Sequence, residues 1–200
     1  MDTRTQKSEL TLAAIVGAGI DIAGAEGLEA ITLQAVADRI GLSKSGVFSR
    51  IGSREALQKA VIEEFGRRFL ADVFVPAMQK PKGLPRLDTI VQRWIVRLRD
   101  VEVQQGCIYT AGAFELDDRE GELRDLLLSE VTRWRAALRR TVTQAVETGE
   151  LVADTDPEQL VGEISNLAMG LVHDARFLRD PHAADRALAT WARLRKSYQA

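Results

Sequence analysis

The chain has 200 residues, 46% hydrophobic and 28% charged, enough to bury a core in one or two globular domains. A net charge of −2 excludes a protein that coats nucleic acid regardless of sequence, but leaves room for a local basic patch. A lone cysteine, Cys107, rules out an intrachain disulfide and fits a reducing compartment, and no Cys/His cluster has metal-ligand spacing.

Arg4 and Lys7 ahead of "LTLAAIVGAGI" imitate a secretory signal. Leu12, Ile15, Val16, Gly19, Ile20 and Ala23 nevertheless recur at helical spacing, which predicts an amphipathic helix over about 8–25 that stays in the mature protein. The run reads as too short and too charged for a bilayer span. "GAGIDIAG" resembles a dinucleotide-binding fingerprint, but Ile22 stands where a third glycine is needed and no strand precedes it. Gly27 closes this first helix. Thr32 is placed to cap a short second helix with Leu33, Val36, Ala37 and Ile40 on one face, and Gly41 stops it. Ser43 then caps a third helix in which Val47 and Phe48 are apolar. Gly52 and Ser53 break the chain and restart it as the longer helix "SREALQKAVIEEFGRRFLADVF".

Three of the five prolines fall in "PAMQKPKGLP", Pro76 to Pro85, the clearest loop and the expected joint between a small N-terminal unit and the rest. Beyond it come "RLDTIVQRWIVRLRDV", "QGCIYTAGAFEL" and a long helix from about Glu120 to Thr148. Its stripe runs through Leu123, Leu126, Leu127, Val131, Trp134, Leu138, Val142 and Val146. Asp156-Pro157 and Asp180-Pro181 each set a capping carboxylate before a proline at the first helical position. The expected fold is all-α, about nine helices, with a short-helix head and a long-helix body.

The segment from Thr32 to Ser53 carries the main functional signal. Two short helices joined by Gly41-Leu42-Ser43 form a helix-turn-helix pattern, whose second helix lies in the DNA major groove. Lys44, Ser45, Gly46, Ser49 and Arg50 are left facing out. They are small or basic, so backbone can approach a groove while hydroxyls and cations meet phosphates and base edges. Thr32 to Lys59 holds five basic residues against two acidic ones, whereas the flanking stretches are net acidic. Short helical corners rich in Ser and Gly also occur in proteins that bind no DNA, so the pattern alone leaves both readings open.

"ITLQAVADRIGLSKSGVFSRIGSREAL", Ile31 to Leu57, resembles the DNA-binding domain of TetR/AcrR-type transcriptional regulators position by position. "QGCIYTAGAFELDDREGELRD" resembles a stretch found in a subset of them. The resemblance implies a DNA-binding domain over 1–54 and a helical regulatory and dimerisation domain over 55–200. Thr32 would cap its helix and touch a phosphate. Ser43, Lys44, Ser45 and Gly46 would open the recognition helix, with Ser49 and Arg50 along the groove. Arg54 stands where the family has a phosphate-contacting lysine. Phe48 replaces a common tyrosine, losing a phenolic hydroxyl, and Ile51 replaces a phenylalanine.

The resemblance further implies a cytoplasmic homodimer on a palindromic operator, released by a small-molecule effector, with no cofactor, no metal and no membrane. For the dimer, Leu160, Ile164, Leu167, Leu171, Leu188 and Trp191 offer apolar faces, and Gly162, Ser165 and Gly170 permit close packing; a core within one subunit would use the same residues. Trp94, Leu98, Cys107, Tyr109, Phe114, Trp134, Met169 and His173 are pocket candidates, although residues of these types more often build core. A sensing role for Cys107 is outweighed by the inertness of buried thiols. No triad, phosphate loop or paired carboxylates suggest catalysis. The alternative is an all-α enzyme or small-molecule carrier whose N-terminal helices only resemble a DNA-binding module.

Overall fold

The structure, a computed structural model, describes residues 3–200; the side chains of residues 3–5 and 7 are not among those described, so the charges of Arg4 and Lys7 lie outside it. In chain order the helices are α1 (Thr3–Glu26), α2 (Leu33–Ile40), α3 (Lys44–Ile51), α4 (Arg54–Phe69), α5 (Val75–Ala77), α6 (Leu84–Arg97), α7 (Val103–Gln105), α8 (Ile108–Glu115), α9 (Glu122–Glu147), α10 (Pro157–Val172) and α11 (Ala183–Tyr198). A 3-10 turn covers Leu28–Ala30. The π turns Leu70–Phe74, Leu98–Glu102 and His173–Phe177 prolong α4, α6 and α10 without a break. Joined in this way they make nine helices and no strand among the described residues, the all-α class expected.

Two compact units form. The first holds the residues up to Arg67 together with Gln105–Ser129, and the second holds Arg68–Gln104 with Glu130–Ala200. The proline-rich loop therefore lies inside the second unit, not at its edge, and each change of unit falls within helical or near-helical chain.

In the first unit α1 packs on α2, α3 and α8. Over Ser8–Glu26 it is long and apolar enough to cross a membrane by length and composition, contrary to the expectation from "LTLAAIVGAGI" alone. One side of it is turned inward: Ile15, Ile20, Ile22 and Ala23 are buried, together with Leu28, Ile31, Val36, Val47 and Leu57, whereas Leu10 and Leu12 are exposed. Each fully buried aliphatic side chain of this size contributes roughly 1.5–3 kcal/mol. An acidic side chain closes the far side of the unit. Glu115 accepts from the backbone amides of Leu28 at 2.8 Å and Glu29 at 2.7 Å, capping the 3-10 turn from 87 residues away.

In the second unit α6, α9, α10 and α11 surround a core that includes Leu87, Ile90, Leu138, Val142, Ile164 and Trp191. Two polar side chains bind partners at this core. Trp191 Nε1 donates to Asp88 Oδ1 at 2.8 Å, and Tyr198 Oη donates to Glu163 Oε2 at 3.0 Å. Asp156 caps α10 as predicted, accepting from Glu158 N at 2.8 Å. The start of α11 differs from prediction. Asp180 spends its carboxylate on the His182 amide, at 2.8 Å, and on Arg186, so Pro181 stays in a turn and the helix begins at Ala183.

Candidate nucleic-acid interface

Local capping sets the geometry of α2 and α3. Thr32, in extended backbone, accepts from Ala35 N at 3.0 Å and so satisfies one of the orphan amides that open α2. Gly41 adopts the left-handed conformation (φ 69°) that ends α2, and Leu42 N closes the turn on Ala37 O at 3.0 Å. Ser43 then accepts from Gly46 N at 3.1 Å and opens α3. Each cap contributes on the order of 1 kcal/mol. Two helices of eight residues cannot hold themselves in water, so caps and packing must do it.

Packing fixes the rotation of α3. Val47 is fully buried beside Val36 and Ala37, which turns Lys44, Ser45, Phe48, Ser49 and Arg50 outward. Phe48 is 55% exposed, so it belongs to the surface and not to the core; Ile51 is half-buried. Ser45 Oγ lies 3.1 Å from Ser43 Oγ, and Ser49 Oγ donates to Gly46 O at 3.0 Å. Gly46 is half-buried, and a Cβ there would stand 3.1 Å from the capping oxygen of Ser43. The small residue thus protects the cap. The surface so formed offers hydroxyls, two cations and a bare aromatic ring, with no acidic residue in α3.

Arg54 is placed differently. Its Nε donates to Ile31 O at 2.9 Å, and its Nη2 donates to Glu29 O at 2.6 Å and to Glu29 Oε2 at 3.2 Å. The guanidinium ties the start of α4 to the segment that precedes α2. Ser53 caps α4 through Ala56 N at 3.0 Å. At the same helix start, a bond from its own backbone amide, then one from Ser53, hold the Glu55 carboxyl below the ordinary carboxylate range.

The pocket candidates divide between the units. In the second, Trp134 makes edge-on contacts with Phe69 (4.7 Å between centroids), Trp94 (5.3 Å) and Phe74 (6.4 Å). Its Nε1 is buried with no hydrogen-bond partner among the described residues. Leu98 is buried in the same core, whereas Met169 and His173 are exposed, His173 lying 3.1 Å from Asp174. In the first unit Cys107 is buried and accepts from Thr110 Oγ1 at 3.3 Å, Tyr109 packs on Phe65 at 4.9 Å, and Phe114 is exposed. Among the dimer candidates, Leu160, Ile164, Leu171 and Trp191 bury within their own chain, and Leu167 and Leu188 pack half-buried against them. Gly162 and Gly170 face open space.

Arg97 escaped the sequence reading. It is buried, pairs with Glu102 at 3.0 Å and with Asp72, and its guanidinium sits 5.8 Å from the centre of the Phe69 ring. A signal existed: Arg97 follows Ile90 and Trp94 on the apolar stripe of α6, where a charge is out of place.

Residues 83–191 match the family described as "Tetracyclin repressor-like, C-terminal domain". The fold resembles that of a TetR transcriptional regulator from Chloroflexus aurantiacus (TM-score 0.84, 21% identity, covering 97% of this chain and 98% of that one). It also resembles a TetR-family regulator from Cytophaga hutchinsonii (TM-score 0.80, 17% identity, 96% of each chain). A third is AibR, solved in complex with isovaleryl coenzyme A and operator DNA (TM-score 0.71, 17% identity, 89% of this chain and 96% of that one). No curated protein matches in sequence. The chain belongs to the TetR family of transcriptional regulators, which are not enzymes, and the rival reading as an all-α enzyme falls with that assignment.

Proposed function

We propose that the chain represses transcription as a cytoplasmic homodimer bound to a palindromic operator, and that a small-molecule effector releases it. The observation that carries this reading is α3. Its buried Val47 and its Ser43 cap leave Lys44, Ser45, Phe48, Ser49 and Arg50 on one exposed face without an acidic residue. Residues 1–54 would bind DNA and 55–200 would bind the effector and the second subunit. Lys44, Ser45 and Gly46 meet the groove edge, Ser49 and Arg50 lie along it, and Thr32 touches a phosphate. Arg54 supports the site by holding Ile31 and Glu29, and lends its charge to the phosphate backbone from there. AibR, with both operator and an acyl-coenzyme A, supplies the precedent for two ligands on this fold.

The second subunit would cover the exposed side of α10, with Met169 and the open Gly162 and Gly170, beside half-buried Leu167 and Leu188. A two-fold axis there sets the two α3 helices roughly 34–36 Å apart, one turn of DNA, or a multiple of it. The effector works by binding the DNA-free conformation more tightly. A coupling of about 1–3 kcal/mol weakens operator binding roughly 5- to 150-fold. Trp94, Leu98 and Trp134 are the residues proposed to meet it, since the buried Trp134 donor still lacks an acceptor.

The test is selection of bound fragments from genomic DNA, followed by gel-shift titration at two salt concentrations. Tight binding to one palindrome that weakens steeply with salt supports the reading. Equal binding to all fragments at both salts removes it.

A further inference from the structure

The second unit carries a cleft, open to solvent on one side, of about 480 Å³, within the range of small-molecule sites. Two π turns flank it. Arg99 and the residues after Glu102 line it from Leu98–Glu102 onward, and Ala175 and Arg176 line it from His173–Phe177. The two turns are tied together where Arg176 Nη1 donates to the Glu102 carbonyl at 3.0 Å. Such turns are rare and concentrate at functional sites.

The wall is cationic. Arg99, Arg176 and Arg179 face a single lining carboxylate, Asp180, which is itself engaged by Arg186. Arg99 is balanced by Asp100, through bonds of 2.6 and 3.0 Å, with Asp185 also acting on it. Arg179 has no ion-pair partner among the described residues, and it is the only non-glycine residue among them with positive φ, at 59°. A loop that merely turned the chain would place glycine there, because the left-handed region penalises any Cβ. Arg179 bears that penalty, and backbone outliers of this kind cluster at ligand sites. Leu171, Ala183 and Ala184 form a buried apolar floor.

We propose that this cleft binds a small amphiphilic anion, its acid head on Arg179 and Arg176 and its apolar stem over Leu171, Ala183 and Ala184. The inference stands apart from the DNA reading: a chain that bound no operator would keep this site.

Calorimetric titration of the full chain tests it, with octyl phosphate as probe, octanol as neutral stem and inorganic phosphate as bare head. Octyl phosphate binds once per chain and about tenfold or more tighter than either control. Arg179→Gly weakens octyl phosphate about tenfold while its thermal midpoint holds or rises, because glycine accepts the backbone angle. Arg179→Gln weakens it similarly, and Arg193→Ala, an exposed arginine outside the cleft, leaves it unchanged. A head that binds as well without its stem, octanol binding as tightly as octyl phosphate, or unaltered affinity in both Arg179 variants overturns the proposal.

Discussion

The backbone of Gly24 in α1 lies so close to Gln105 that a Cβ at position 24 would stand 1.7 Å from the Gln105 carbonyl oxygen. The approach is mutual, for a Cβ at Gly106 would stand 1.9 Å from the Gly24 oxygen. Gly17, seven residues earlier on the same helix, has nothing within 4 Å of that position. Two alanine substitutions in α1 should therefore have opposite signs. Gly24→Ala forces backbone from backbone and destabilises by about 3 kcal/mol or more. Gly17→Ala removes helical entropy cost and stabilises by up to about 1 kcal/mol. Urea denaturation of both variants decides it; equal midpoints would show that the close approach does not exist.

Arg50 and Arg54 are four residues apart and both basic, but their surroundings separate their roles. Arg50 is exposed and makes only a 3.5 Å contact back to Gly46 O, whereas Arg54 bonds to two backbone carbonyls. Arg50→Ala should leave the melting temperature unchanged and weaken operator binding by about 1–3 kcal/mol. Arg54→Ala should lower stability by about 1–2 kcal/mol, discounted for its partial exposure, before any effect on DNA. Melting curves and gel shifts on the same two preparations distinguish them. A melting temperature lowered by Arg50→Ala, or untouched by Arg54→Ala, would reverse the assignment.

Much of the head was legible because its determinants are local. Thr32 and Ser43 in the head, like Asp156 in the second unit, cap within three residues of themselves, and the apolar spacing of Val36, Ala37 and Val47 says which way each short helix faces. What was not legible depends on distant or context-bound partners. Glu115 caps Leu28 across 87 residues, and no local pattern announces it. The three π turns have ordinary helical composition, so periodicity reads straight through them. Asp180 looks like a cap for a helix starting at Pro181, but its carboxylate is divided between the His182 amide and Arg186, six residues on. Apolar faces on α10 and α11 could not be divided between core and partner, because burial of Leu160 or Trp191 is decided by α6 and α9.

Phe48 tests the surface directly. At 55% exposure it supports little of the core, so Phe48→Ala should change stability by less than about 0.5 kcal/mol. If, as proposed, α3 lies on DNA, a ring set against the phosphate backbone has no hydroxyl to donate. Phe48→Tyr should then tighten operator binding by about 0.5–1.5 kcal/mol, the net worth of one added hydrogen bond. Parallel titrations of Phe48, Tyr and Ala forms settle it. Identical affinities across the three would remove Phe48 from the interface.

Tyr198 gives the second unit a dependence on alkaline pH. Burial, then its hydrogen bond to Glu163, raises the phenol above its ordinary value near 10. The folded state thus favours the neutral phenol more than the unfolded chain does. The associated stability is fully present below the unfolded pKa and is lost as pH rises through the folded one. Wild-type protein should lose more of its melting temperature than Tyr198→Phe between about pH 9 and pH 11. At pH 7 the order is the other way, since the phenylalanine form lacks the bond to Glu163 and starts lower by about 1 kcal/mol. Parallel pH dependences in the two proteins would show that Tyr198 ionises equally in both states and that its contact with Glu163 does not form.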